Sequence, residues 1–314
     1  MAWDGRTISN FIHQWGESWT RTIPPVTGTA DPLLLNEWLE MDNTGLTPFE
    51  LTLKTWGAYA GDSLGSRVLD FIATHVRRVA PAGTPVAALE LLAMQVVLTS
   101  QPIFDPRKAR SWVKQYDIVE DQPIEGAETV TKTEDGEPVP LTESQKIKIK
   151  KSKAGSAVPS HGLLSKMVES GLLVSHPNEK MRFLHPLLNG YLAGQAVGDN
   201  DADTTLLAQA DWDGKAITLH YLAARGDASA VADILLKQSD LPLHGPTFIV
   251  ARWLRDAPKD AKWRAKVFAS LLSILQAEGQ PLTLRAQAMA AFVASGDPGV
   301  ATLFRQLLSS RSFA

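Results

Sequence analysis

Residues Leu163–Gln195 read LLSKMVESGLLVSHPNEKMRFLHPLLNGYLAGQ. This is the pattern of a helix, a short strand, a tight polar turn around Pro177-Asn178-Glu179, a second strand and another helix. His185 falls where the second strand gives way to the helix opened by Pro186. The segments on either side decide what this unit belongs to.

Upstream, the pattern is helical and punctuated by proline. Ile8, Phe11, Ile12, Trp15 and Trp19 recur at spacings of three and four, which gives one apolar helix face. Asp31-Pro32 supplies a cap and a first-turn proline for a second helix. Thr47-Pro48-Phe49-Glu50 has the form of a capping box for a third, and a fourth covers about 66–80, ending on Arg77-Arg78. That pair reads as a solvated helix end in preference to a phosphate contact. Helices are predicted again over 84–99 and 106–116, with a short strand over 101–104 between them.

Residues 117–157 break the regularity. An acidic, proline-containing arm is followed by KIKIKKSK (Lys146–Lys153), and the two arms suit a loose, mobile hairpin about Glu134-Asp135-Gly136. A solvated edge is preferred over a nucleic-acid or phospholipid contact for the basic run. With the insertion set aside, the order helix, strand, helix, helix, strand, turn, strand is that of a winged helix.

Downstream, Leu219–Lys237 and Met289–Leu308 are weakly alike, each an apolar helix, an Ala-x-Gly-Asp turn and a second apolar helix. Their spacing leaves room for one more pair, from about Thr247 to Ala277, with Trp253 and Trp263 as its packing anchors. Helical pairs of this kind bury their apolar stripes by stacking into a superhelix. The expected organisation is a mainly α chain: a helical domain over 1–83, a winged-helix domain over 84–200 carrying the insertion 117–157, and HEAT-like repeats over 201–314.

The 314 residues carry a net charge of -3, which provides no basic field for nucleic acid or anionic membrane. Cysteine is absent, so disulfides, thiolate metal sites and a cysteine nucleophile are excluded. The longest apolar stretch, Val86–Leu98, is far short of the roughly 20 residues of a membrane span, and the amino-terminal MAWDGRTISN has no signal pattern. A soluble, cytoplasmic chain is expected. No phosphate loop, dinucleotide fingerprint, serine elbow or metal-spaced histidine motif occurs; Gly61-Asp62-Ser63-Leu64-Gly65 is the nearest glycine pair and lacks the lysine. No catalytic residue and no metal ligand is assigned, and hydrolysis by this chain alone is not expected.

Met181-Arg182-Phe183-Leu184-His185-Pro186-Leu187-Leu188, running on to Tyr191-Leu192-Ala193, resembles the winged-helix end of STAND ATPases of the NACHT and NB-ARC type. ISNFIHQW (Ile8–Trp15) resembles the helix that follows their ATPase core, and Asp31-Pro32-Leu33-Leu34-Leu35 the start of the adjoining helical domain. The resemblance covers most of the chain outside 117–157, although the family's phosphate loop and magnesium-binding acids are missing before Met1. It implies a non-catalytic regulatory module whose nucleotide, ADP or ATP, comes with an ATPase core supplied in cis or in trans. It further implies that His185 contacts the β-phosphate of ADP in the closed state, that Pro32 lies against the adenine, that the repeats bind protein partners, and that a homo-oligomer forms on activation. The residues alone leave His185 open to a plainer role, a junction histidine satisfied by a backbone carbonyl, and Pro32 is sufficiently explained as a first-turn proline. Two other readings stand beside this one. A winged-helix DNA-binding regulator is poorly served by a recognition helix whose only permanent positive charge is Lys166, opposed by Glu169. A plain helical scaffold would bind protein through its repeats without any nucleotide.

Overall fold

The computed structural model describes residues 3–23, 32–40, 46–116, 162–238 and 242–309. The chain is mainly helical. Six helices come first: α1 (Gly5–Thr22), α2 (Pro32–Glu40), α3 (Pro48–Ala60), α4 (Val68–Val79), α5 (Val86–Leu98) and α6 (Pro106–Val113), the last extended by a 3-10 turn over Lys114–Tyr116. The insertion 117–157 and its expected hairpin lie outside the described residues. After it come α7 (Leu163–Glu169), β1 (Leu173–Ser175), β2 (Met181–Phe183) and α8 (Pro186–Asp199). The remainder is helical: α9 (Asp203–Leu207), α10 (Asp213–Arg225), α11 (Ser229–Leu236), α12 (Gly245–Trp253), α13 (Arg264–Gln276), α14 (Leu282–Ala294) and α15 (Gly299–Ser309).

The local signals act as their chemistry requires. The Thr47 hydroxyl accepts from the Glu50 N–H, and the Glu50 carboxylate accepts in return from the Thr47 N–H at 2.7 Å, so α3 begins with a complete capping box. Gly61 ends the helix at φ 69°, a backbone region that a side chain disfavours. β1 and β2 pair antiparallel, Leu173 with Phe183 and Ser175 with Met181. The strand expected over 101–104 shrinks to a single bridge between Phe104 and Met181. Ser100 stands at φ 55° just before it, and α6 starts two residues after Phe104, which leaves no room for a longer ladder.

One apolar core runs from Leu53 on α3 to Leu307 on α15, through the hairpin and the repeats alike. Its centre is α8, packed between α5 and α10. Gly190 and Gly194 permit that packing: a Cβ at Gly190 would run into Ile217, and one at Gly194 would come within 2.7 Å of the Leu222 backbone nitrogen. At the end of α10, Arg225 donates to the Tyr191 carbonyl (2.9 Å), pairs with Glu90 of α5 (3.2 Å) and lies over the Tyr191 ring. A second, smaller core holds α1 and α2 to the opposite face of α3, through Ile12, Leu39, Leu51 and Tyr59 with Trp3, Phe11, Trp15 and Trp19 around them.

The three carboxy-terminal helical pairs fall where the repeat predicts them. Trp253 and Trp263 are buried against each other, edge to face at 5.8 Å. Asp227 and Asp297 each accept the backbone N–H two residues on, from Ser229 and Gly299, so both turns launch the next helix in the same way. Their glycines nevertheless differ, Gly226 being extended and Gly296 left-handed at φ 56°.

Candidate functional site

His185 is the N-cap residue of α8. Its Nδ1 accepts the Leu187 N–H at 3.1 Å, so in the neutral ring the proton resides on Nε2. The plain alternative foresaw a backbone carbonyl as partner; the observed partner is an N–H, which reverses the role of the ring nitrogen. The imidazole lies flat on Phe49 of α3, with centroids 3.9 Å apart and planes 4° from parallel. The half-buried position pushes its pKa below the ordinary histidine value, against the opposing pull of the nearby Glu50 carboxylate. His185 therefore presents a neutral N–H donor, and no described residue takes the bond from Nε2.

Phe49 joins His185 to a second histidine. His75 on α4 sits edge-on to Phe49 and packs on Trp56 at 5.4 Å. It is 5 % exposed, and neither ring nitrogen has a partner among the described residues. Burial, helped by the charge of Arg78, lowers its pKa to about 4. The residue after Phe49 begins a different connection. Glu50 is 1 % exposed and receives Arg255 at 2.7 Å; Arg255 also binds Asp256 (2.8 Å), and Asp256 holds the His220 Nε2 at 2.7 Å. The carboxylate of a local helix cap thus also binds a guanidinium 205 residues away, between α12 and α13. The spacing of Thr47 and Glu50 marks the cap, whereas no pattern in the sequence marks Phe49, His75 or the Arg255 network as neighbours of His185.

Pro32 is the first residue of α2, as expected; its side chain lies outside the described residues, and so does any contact it makes. The Arg77-Arg78 pair is neither a solvated end nor a phosphate contact. Arg78 pairs with Asp62 and covers the Trp56 ring, and Arg77 donates to the Asp62 carbonyl, so both tie the end of α4 to the turn after α3. In α7, Leu163, Leu164 and Met167 are buried, Lys166 is half-buried and Glu169 is exposed. Among the described residues no group of three or more His, Asp or Glu side chains could hold a metal ion. No described helix is long and apolar enough to cross a membrane. The chain matches no protein-family model, no curated protein and no solved structure with which it was compared.

Proposed function

We propose that the chain is the regulatory part of a STAND-type signalling ATPase, with His185 as a nucleotide-sensing latch. In this reading α1–α4 form the helical domain that adjoins an ATPase core. The helices α5, α6 and α7 with the β1–β2 hairpin form a winged helix, and the pairs from α10 to α15 form a short HEAT-like array for protein partners. The observation that carries the proposal is the fixed state of His185. Its Nδ1 is committed to the Leu187 N–H and its face to Phe49, so the remaining Nε2–H is held in one direction as a donor suited to a phosphate oxygen. A junction histidine that served only as a cap would need Nδ1 alone.

ADP or ATP would arrive with the core, and the bound nucleotide would supply the charge that distinguishes the closed from the open state. His185 would bind and orient it; no residue of this chain is assigned to hydrolysis. A ligand shifts a two-state switch only through its differential affinity for the two states, so the donor must favour the ADP form to act as a latch. The test is His185→Ala in the chain joined to its ATPase core. Faster ADP release and raised basal signalling are expected, by about tenfold for loss of one charge-assisted bond. Unchanged ADP release and basal signalling would remove the role.

A further inference from the structure

A cleft of about 560 Å³ opens between α2, α3 and α4 on one side and the segment from Arg255 to Lys259 on the other. Four cationic side chains line it, Lys54, Arg67, Arg255 and Lys259, against one lining carboxylate, Asp256. Two of the cations are already matched: Arg67 by Asp70 at 3.1 Å, and Arg255 by Glu50 and Asp256. The lysines are different. Lys54 is only 8 % exposed, with its ammonium 5.8 Å from the Trp38 ring. Lys259 donates to the Ser295 carbonyl at 2.5 Å, and no carboxylate pairs with it among the described residues. An ammonium has three donors, so that one bond leaves two for a ligand. Burial and the neighbouring Arg264 guanidinium hold Lys259 below the ordinary lysine pKa, a cost that an anion would relieve.

The other walls narrow the ligand further. Trp38, 46 % exposed, offers a broad aromatic face, and Leu69 and Phe71 add apolar surface. The first turn of α4 also borders the cleft and adds backbone N–H groups to the cationic side. The volume falls within the range of small-molecule sites, about 300–1,000 Å³, and is too closed for an extended peptide to lie along it. We propose that this cleft binds a small phosphate-bearing ligand with a flat ring, its phosphate received by Lys54 and Lys259 and its ring laid on Trp38. His185 does not line the cleft, so the site stands or falls independently of the nucleotide latch.

The experiment titrates the full chain with phenyl phosphate, inorganic phosphate and an acidic peptide by calorimetry at constant ionic strength. Saturable binding of phenyl phosphate, tighter than that of inorganic phosphate, is expected. Lys259→Met should weaken phenyl phosphate by about tenfold or more. Trp38→Leu should weaken phenyl phosphate and leave inorganic phosphate unchanged. If Lys259→Met loses its circular-dichroism signature of folding, Arg67→Gln replaces it, since that side chain is 75 % exposed; a weakening of phenyl phosphate at fixed ionic strength is again expected. No saturable binding of phenyl phosphate overturns the proposal. So does wild-type affinity in the cation variant, equal affinity for phenyl and inorganic phosphate, or equal affinity for the acidic peptide.

Discussion

The two faces of α3 hold their neighbours by different physics. On one face, α1 and α2 are attached by a small aromatic cluster, with Trp3 on Phe11 at 5.3 Å, Phe11 on Trp15 at 5.8 Å and Trp19 on Tyr59 at 5.8 Å. On the other, α3 joins the continuous core and reaches Arg255 through a carboxylate buried to 1 % exposure. Apolar contact is non-directional and tolerates repacking. A buried, hydrogen-bonded ion network does neither, because each charge left without its partner carries the full cost of desolvation. One face can therefore loosen gradually, and the other holds or fails as a unit.

The contrast is broken most directly at Arg255. Arg255→Ala leaves Glu50 and Asp256 buried without their cation and should cost about 3–5 kcal/mol, measured by chemical denaturation. A loss no larger than that of an exposed ion pair would show that solvent, and not the network, satisfies these carboxylates. Next in size is an acid limb from His75. The folded chain keeps this ring neutral down to about pH 4, whereas the unfolded chain takes up the proton near 6.5. The unfolded state thus binds more protons in that window, and the stability present above pH 6.5 is lost as the pH falls toward 4. The loss should reach about 3 kcal/mol, and His75→Leu should abolish it, compared with wild type in denaturation series at several pH values. An unchanged pH profile in the variant would place the acid limb elsewhere. The smallest effect tests the aromatic face. Ile12→Val should cost about 1 kcal/mol and speed hydrogen exchange in α1 and α2 alone. Equal acceleration in α5 and α8 would show that the two faces unfold together.

What the sequence makes legible follows from the range of the forces involved. Helix starts at Thr47-Pro48 and Asp105-Pro106 are set within one turn, and both stand where their residues put them. The repeat also survives translation, because each pair is a short amphipathic unit whose aspartate caps its own second helix. The path of the turn glycine does not survive: Gly226 and Gly296 share a motif but diverge in backbone, since neighbouring packing, and not the motif, fixes φ. At the candidate site His185 was visible as a junction residue. Its stacking partner Phe49 lies 136 positions earlier, and the Glu50–Arg255 pair spans 205. Contacts of that separation leave no periodic trace in a single sequence.

Gly190 and Gly194 have a mechanical consequence. Most helix pairs touch through side chains, a compliant layer that absorbs small shifts by changing rotamers. Between α8 and α10 the glycines bring backbone close to backbone, with the Gly194 position facing Leu222 and Tyr221 directly. That seam has little to compress, so the two helices tilt as one rod. His185 caps the leading end of that rod, and the carboxy-terminal pairs bear on its other half through α12. A load on the array is thus delivered to the stacked ring on Phe49 with little slack.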